Sequence, residues 1–353
     1  MRNIVVITPG FPADESDFLC IPPLQALVRE IKDKKLAHIT VISIHYPFTR
    51  GNYQWHGVTI HACGGANRRW MRLFILNRAA KIFKQINKEQ KIDGIHSFWL
   101  NDSAVTGYMM AKKFKYPHWV TLMGQDALPT NRFINFFKRI KQSRKKNYLE
   151  TIVLSGFHNQ QLLKTTGREA DHIIPWGLDT SYLPPFQRMP RTIDLLAVGS
   201  LIRLKNYDLF LEIISTLKKK RPDISCMLIG DGPERINLEK LALKLDLQHN
   251  LTFTGVLPRT EILEIMMQSK VFVHPSSYES FGFVFAEALF AGMYLVTTPV
   301  GIAEASPKWK LVNDTKQWAE IIDQVLSEGN NFTSTMLEDM RETALAYRRV
   351  WES

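Results

Sequence analysis

Two glutamates stand eight positions apart in a segment whose residue types suit the binding of an anionic ligand. The segment runs from His274 to Gly292 and contains Glu279, in the loop after a predicted strand, and Glu287, in the first turns of a helix expected to begin near Phe281. A carboxylate at the amino end of a helix, beside glycine N–H groups, can bind a diol and a pyrophosphate together. A pair of surface charges is the alternative interpretation of two glutamates.

Two more loops with suitable residues follow predicted strands. The loop from Val198 to Asn206 opens a helix, so its backbone amides and the helix dipole can hold a phosphate, and Arg203 and Lys205 add positive charge. A solvated loop with two surface cations explains the same residues. The turn Ile-Gly-Asp-Gly-Pro-Glu at 229–234 suits a close approach of the backbone to a ligand, and taken alone it also fits an ordinary tight turn.

In this order, the segments resemble the signature of family-4 retaining glycosyltransferases of the GT-B fold. That signature is an E-F-G-type turn with two glutamates separated by seven residues, followed by a helix of small residues that ends in glycine. The resemblance covers residues 192–304 and, more loosely, the whole chain. Its further matches are Gly-Ser-Leu-x-x-x-Lys-Asn at 199–206, the turn at 229–234, Phe-Thr-Gly at 253–255, and Pro-Val-Gly at 299–301 with Glu304 beyond.

The resemblance implies a role for each matching residue. Glu287 is expected to bind the ribose hydroxyls of the donor nucleotide, and Glu279 to lie against the donor sugar near the reacting carbon. Arg203 and Lys205 are expected to hold the diphosphate. Arg is frequent in the family directly after the first glycine of the phosphate loop, where this chain has a serine, and Arg203 is expected to compensate. The remaining donor-binding candidates are Gly10, Gly199, Ser200, Gly230, Ser280, Phe281 and Gly282.

In the first half, Thr-Leu-Met-Gly-Gln-Asp at 121–126 resembles the family's Thr-x-His-Gly-x-Asp. Met123 replaces the usual histidine, and a methionine cannot donate a hydrogen bond. Asp126 is a catalytic candidate by this resemblance, with a helix N-cap as the alternative. Gly10 is a lone glycine without the G-x-G-x-x-G pattern, so the sequence gives little support to a dinucleotide-dependent oxidoreductase.

A third group of residues follows a first-half strand and could line the acceptor side of the site. A packed aromatic side chain and a helix cap explain this group equally well. Its members are His96, Trp99 and the pair Asn101-Asp102.

The whole chain alternates short apolar runs with helical segments, a pattern typical of parallel sheets covered by helices. At 353 residues, two domains are expected. The predicted fold is α/β, with two Rossmann-like domains facing each other across a cleft. We predict domains at 1–185 and 186–330, and a helix at 336–351, within the segment 331–353, that returns to the first domain. Predicted strands are 4–8, 39–44, 58–62, 94–98, 119–123, 152–155, 172–174, 194–198, 225–229, 251–253, 271–274 and 294–297.

Positive charge is concentrated in the first half. Residues 1–185 hold 26 Lys and Arg against 13 Asp and Glu, a net charge of +13, whereas the remainder carries −2. Two segments, 68–78 and 132–146, mix aromatic residues with cations at helical spacing, which suits contact with an anionic membrane surface. An ordinary amphipathic helix is the alternative. The three cysteines lack metal-ligand spacing, and we expect a cytoplasmic protein, in part at the inner face of the plasma membrane.

The sequence therefore predicts a retaining glycosyltransferase whose partners are a nucleotide sugar and a glycan or lipid-linked acceptor. The sequence contains no clustered Asp-x-Asp of the kind that holds a divalent ion, so neither a metal nor a cofactor is expected. One alternative is a sugar-nucleotide epimerase with the same architecture. The other is a basic nucleic-acid-binding protein, which no recognised motif supports and which we do not expect.

Overall fold

The computed structural model describes residues 1–66, 69–142, 149–179, 183–328 and 331–353. The chain divides into two compact units. The first comprises Met1–Asp179 together with Glu338–Ser353, and the second comprises Thr180–Leu337. The domain limits expected from the sequence, after residues 185 and 330, lie a few residues beyond and before these divisions.

The first unit is built on a sheet of eight described strands in the order β3-β4-β2-β1-β5-β6-β7-β8. All neighbouring strands of this set run parallel except β3 and β4, which form an antiparallel hairpin. The strands are β1 Arg2–Gly10, β2 Ala37–Tyr46, β3 Gly51–Trp55, β4 Val58–Ala62, β5 Gly94–Phe98, β6 His118–Thr121, β7 Leu149–Val153 and β8 His172–Ile173. The helices of the unit are α1 Pro22–Asp33, α2 Arg72–Glu89, α3 Asp102–Phe114, α4 Ile134–Gln142, α5 Gly156–Thr166 and α11 Met340–Glu352.

The second unit is built on a sheet of six described strands in the order β11-β10-β9-β12-β13-β14, all parallel to their neighbours. Its strands are β9 Ile193–Val198, β10 Cys226–Ile229, β11 Leu251–Gly255, β12 Ser269–His274, β13 Tyr294–Thr297 and β14 Trp309–Leu311. Its helices are α6 Tyr207–Lys218, α7 Arg235–Lys244, α8 Arg259–Met267, α9 Phe283–Phe290 and α10 Trp318–Ser327.

The central strands are apolar on both faces because helices cover both sides of a parallel sheet. In the second unit, Leu195 and Ala197 of β9 pack with Phe210 of α6 and Leu228 of β10, all fully buried. In the first unit, a separate core brings together residues of β1, β2, β5 and α2. Each unit therefore has its own hydrophobic core, as a domain requires.

The last helix, α11, completes the first unit through a buried polar network. The Nε1 of Trp351 donates a hydrogen bond to Nδ1 of His96 (2.9 Å), and the Nε1 of Trp176 donates to the hydroxyl of Tyr347 (2.9 Å). That hydroxyl also lies 3.0 Å from Oγ1 of Thr121. The helix begins at Met340, four residues later than predicted, because the side chain of Asp339 caps it by accepting a hydrogen bond from the amide of Arg341.

The two basic segments fall partly outside the described residues. Arg68 of the first segment and residues 143–146 of the second lie outside them. The described parts form the start of α2 and the helix α4. No helix in the described part of the chain combines the length and the apolar content that crossing a bilayer requires.

Candidate active site

The strand order places the candidate site of the second unit at a switch point of its sheet. The strand β9 lies at the centre, with β10 on one side and β12 on the other. The chain therefore leaves the carboxyl ends of β9 and β12 in opposite directions and opens a crevice between the two loops. Ligands of open α/β sheets bind in such crevices. Lys205 lies in the loop after β9, and Glu279 lies in the loop after β12.

Glu279 is the point where these two loops meet. Its Oε1 accepts hydrogen bonds from Nζ of Lys205 and from Nε2 of His274, the last residue of β12, at 2.8 Å for the histidine. All three side chains are largely buried, with 15% of the Glu279 side chain and none of His274 exposed. Burial raises the pKa of Glu279, but the His274 hydrogen bond and the Lys205 charge outweigh it and lower the pKa to about 2.

Glu279 is therefore ionised at neutral pH, and an ionised carboxylate accepts hydrogen bonds through both oxygens. Its second oxygen, Oε2, has no hydrogen-bond partner among the residues that the structure describes. This oxygen is available to a ligand hydroxyl group.

Glu287 lies on α9 and is held by an arginine of α8. The Nε of Arg259 donates a hydrogen bond to Oε1 of Glu287 (2.9 Å), and Nη2 of the same guanidinium lies 2.9 Å from that oxygen in an ion pair. Burial raises the pKa of Glu287, and Arg259 opposes this effect. Oε2 of Glu287, like that of Glu279, has no hydrogen-bond partner within the described residues. Each of the two glutamates thus keeps one oxygen for a ligand.

The turn between the two glutamates presents backbone amides. Gly282 has φ of 89°, a left-handed conformation that favours glycine, and α9 begins at the next residue. The amides of Phe281 and Gly282 donate no hydrogen bond to any described residue. On its other side, the turn is fixed by Ile302, whose amide donates to the Phe281 carbonyl (2.9 Å), and by Gly301, which has no room for a side chain against that carbonyl. Free amides at a helix amino terminus are suited to an anion.

Two glycines bring the loops after β9 and β10 into backbone contact. The amide of Gly199 donates to the carbonyl of Ile229 at 2.9 Å. The amide of Gly230 donates to the carbonyl of Gly255, also at 2.9 Å. A Cβ on Gly230 would overlap the carbonyl of Gly199. These two candidates therefore shape the crevice through close backbone packing.

Arg203 and Ser200 do not join this cluster. The Arg203 side chain is 91% exposed and pairs with Glu234 at 3.3 Å. Ser200 is exposed as well, and Ser280 is partly buried in the turn beside Glu279. Of the two predicted cations, only Lys205 contacts Glu279 in the structure.

In the first unit, Asp126 holds two loops together. Its Oδ2 accepts hydrogen bonds from the amides of Leu100 (3.2 Å) and Met123 (3.0 Å), which follow β5 and β6. Burial raises its pKa to about 6, although the two amides lower it. Gly10 ends β1, and a Cβ added there would lie 3.4 Å from both Sγ of Cys20 and Cβ of Tyr46. The loop contacts of Asp126 differ from the suggested N-cap, because the helical turn that contains it is capped by Gly124.

The interpretation of His96 as an acceptor-lining residue is wrong. His96 is fully buried in the network with α11, because its strand is covered by that helix. Asn101 is a helix cap, since its side chain accepts the amide of Ser103 at 2.8 Å at the start of α3. Asp102 pairs with Nε of Arg72 at 2.6 Å.

Known proteins match this chain in fold and, over part of its length, in sequence. Over its full length, the chain resembles the structure of sucrose-phosphate synthase from Thermosynechococcus elongatus, with a TM-score of 0.73, 18% identity and 94% of that chain covered. It also resembles Anabaena HepE, crystallised in complex with UDP and glucose, with a TM-score of 0.68, 15% identity, 99% of this chain and 95% of that chain covered. The gpi3 subunit of phosphatidylinositol N-acetylglucosaminyltransferase from Schizosaccharomyces pombe is 29% identical over 230 residues, 62% of this chain and 49% of the yeast protein.

Two α/β units, each built on a mainly parallel sheet, thus have the GT-B fold of glycosyltransferases. Residues 186–345 match the family model described as glycosyl transferases group 1. The chain spans between about a third and a half of the length of the first curated relatives it matches.

Sequence reasoning missed His274 and Arg259, the residues that hold the two glutamates. A histidine that ends an apolar strand has the same sequence context as a core residue. Arg259 begins a helix far from Glu287 in the chain, and no spacing pattern connects the two residues. The sequence signal for these residues was their position: His274 ends the predicted strand 271–274, and Arg259 begins α8.

Proposed function

We propose that the protein is a retaining glycosyltransferase that moves a sugar from a nucleotide-diphosphate sugar to a hydroxyl group of a glycan or lipid-linked acceptor. The observation that carries the proposal is the pair Glu279 and Glu287, each buried and each with one carboxylate oxygen unpartnered among the described residues. The match of residues 186–345 to the glycosyl transferases group 1 model supports it. The likeness to a protein crystallised with UDP and glucose makes UDP-sugars the first donors to test.

Each part of the donor has a matching group in this arrangement. A ribose diol donates two O–H groups, which the free oxygen of Glu287 can accept while Arg259 fixes the carboxylate. The free oxygen of Glu279 suits a hydroxyl of the donor sugar. Lys205 and the amides of Phe281 and Gly282 suit the diphosphate, since cations and free N–H groups stabilise phosphate oxygens.

The proposed reaction takes place on one face of the donor sugar. The bond between the anomeric carbon and the diphosphate oxygen breaks, the acceptor oxygen bonds to the same face, and the departing diphosphate takes the acceptor's proton. No protein base is then needed, and the anomeric configuration is retained. The main contribution of the protein is to position the substrates and stabilise the charge that develops on the leaving group. Because Lys205 supplies positive charge there, we propose that the reaction needs no metal.

A membrane contact of the first unit is part of the proposal. The exposed Phe and Trp side chains of the described residues are Phe18, Phe48, Trp70 and Phe74. They follow β1, β2 and β4, which are neighbours in the sheet order. Aromatic side chains beside the cations of α2 suit the surface of an anionic membrane. A lipid-linked acceptor of polysaccharide or lipopolysaccharide synthesis at the cytoplasmic face would then be within reach.

The first test is a thermal-shift screen of UDP, GDP, ADP and their sugar conjugates. Glu287→Gln serves as the test variant and Glu320→Gln, at an exposed position of α10 in the same unit, as the control. We expect one nucleotide to stabilise the wild type and the control but not Glu287→Gln. No shift with any nucleotide would refute the donor assignment.

Product analysis then separates the proposed reaction from its alternatives. Proton NMR of the glycoside formed from an α-linked donor, in buffer containing EDTA, is expected to show an α product. Epimerisation of the sugar nucleotide without an acceptor would instead establish the epimerase. A β product, or loss of activity in EDTA, would overturn retention or metal independence.

A further inference from the structure

Lys205 and His274 both donate to the same oxygen of Glu279, but their side chains differ greatly in mobility. Lys205 has a long, flexible side chain in a loop, and 17% of it is exposed. The imidazole of His274 is fully buried. It stacks on Phe272 with ring centroids 5.7 Å apart and meets the edge of Phe285 at 5.0 Å. The lysine can leave Glu279 by rotating its side chain, whereas the packed histidine ring cannot.

The hydrogen-bond pattern assigns the tautomer of His274. The ionised carboxylate of Glu279 only accepts, so Nε2 of His274 must carry a proton. The other nitrogen, Nδ1, is buried without a hydrogen-bond partner among the described residues. A second proton there would create a buried, unpaired N–H group, and burial lowers the pKa of the ring. His274 is therefore a neutral, fixed donor to Oε1.

We propose that His274 is the positioning residue that keeps Glu279 directed at the donor sugar when Lys205 leaves it for the donor diphosphate. The inference rests on the proposed function. In the free enzyme both partners hold Oε1, and in the donor complex the histidine alone does so. Its bond fixes the carboxylate with Oε2 turned to the ligand. His274 acts through Glu279 and makes no contact with the substrate itself.

The departure of Lys205 is what makes this bond important. A buried carboxylate that loses its cation is destabilised in the ionised form, and its pKa rises unless another donor remains. The ionisable groups that act on Glu279 are Lys205, His274 and the buried phenol of Tyr207, whose own pKa is raised. Tyr207 stays neutral and Lys205 is displaced, so His274 is the group that keeps Glu279 ionised.

The test compares His274→Leu, which removes the donor, with His274→Gln, whose amide can restore an N–H near the position of Nε2. Calorimetry measures binding of UDP and of UDP-N-acetylglucosamine, or of whichever nucleotide and conjugate stabilise the wild type. We expect His274→Leu to weaken binding of the sugar nucleotide at least about 10-fold. Affinity for the nucleotide alone should change by less than about 2-fold. His274→Gln should recover most of the loss.

A pH series and a double-mutant cycle measure quantities that would not change if His274 only stabilised the fold. The acid limb of sugar-nucleotide binding should move to higher pH in His274→Leu, because Glu279 then protonates more easily. With Glu279→Ala, the effect of His274→Leu should largely disappear. Equal weakening of both probes, an unshifted acid limb, or additive effects would overturn the inference. Absence of any nucleotide binding by the wild type would overturn the proposed function first.

Discussion

The Nε1 of Trp351 reaches Nδ1 of His96 at 2.9 Å, joining the last helix of the chain to a central strand 255 residues earlier. Both side chains are buried, so this contact is part of the core of the first unit and is not a surface attachment. The integrity of the first unit therefore depends on α11.

Replacing Trp351 by Ala should destabilise the first unit by about 3 to 5 kcal/mol, the usual cost of removing a large buried aromatic side chain. Tyr347→Phe should cost about 1 to 2 kcal/mol, because it removes the buried hydroxyl that bonds to both Trp176 and Thr121. Urea unfolding followed by circular dichroism measures both. Arg348→Ala, at a half-exposed ion pair of the same helix, is the control and should change stability by less than about 1 kcal/mol. Equal effects of all three variants would contradict the network.

The first unit should lose stability as the pH falls below about 6.5. Burial lowers the pKa of His96 well below its ordinary value, that of His118 to about 3 and that of His158 to about 4. In the unfolded chain these rings titrate near about pH 6.5, so acid protonates the unfolded state first. The free energy of unfolding then falls by up to about 1.4 kcal/mol per pH unit for each ring. Asp126 offsets part of this change, because its raised pKa favours the folded state in acid.

Urea midpoints at pH 7 and pH 5 test this expectation. His118→Gln, which can still donate to Ser97, removes one titrating ring and should make the pH dependence shallower. A first unit equally stable at both pH values would show that the buried rings are not excluded from protonation.

The loop contacts of Asp126 separate a structural role from a catalytic one. Asp126→Asn keeps an acceptor for the amides of Leu100 and Met123, so stability at pH 7 and transfer activity should stay within about 1 kcal/mol and 3-fold of the wild type. Asp126→Ala removes the carboxylate that accepts from both amides and should cost about 2 to 4 kcal/mol. A loss of more than about 100-fold in activity for a well-folded Asp126→Asn would instead show that the carboxylate takes part in the reaction.

Lys205 and Arg203 should differ sharply in donor binding. Lys205→Gln removes the buried cation beside Glu279 and should weaken nucleotide-sugar binding by about 10- to 100-fold, the range for a charge-assisted hydrogen bond. Arg203→Gln should change it by less than about 3-fold, because Arg203 is exposed and pairs only with Glu234 among the described residues. Comparable losses in both variants would restore the expectation that the two cations act together.

The strands that the sequence predicts well are the central ones, because burial on both faces makes them continuous apolar runs. Gly94–Phe98 and Tyr294–Thr297 have the predicted limits. The strands that were missed, β3 and β14, lie at sheet edges. The sequence of β3, Gly-Asn-Tyr-Gln-Trp, is mostly exposed and polar, and β14 has three residues. Such strands are defined by their neighbour and have no clear pattern of their own.

The same distinction applies to the site. Glu279, Glu287 and Lys205 could be named as candidates from their places after strands and from the resemblance to the family signature. The partners His274 and Arg259 could not, because their roles follow from which strands are neighbours and which helix ends meet. For Arg203, the sequence could not show that the side chain is exposed and pairs with Glu234, and its expected contact with the diphosphate stays a prediction.

The first unit is made of two stretches of chain, Met1–Asp179 and Glu338–Ser353, with the whole second unit between them. During synthesis, the ribosome must complete the second unit before it makes Tyr347 and Trp351. Until then, the sheet around His96 lacks its cover and exposes apolar surface that attracts chaperones. The nascent first unit therefore stays incomplete while the second unit can already fold.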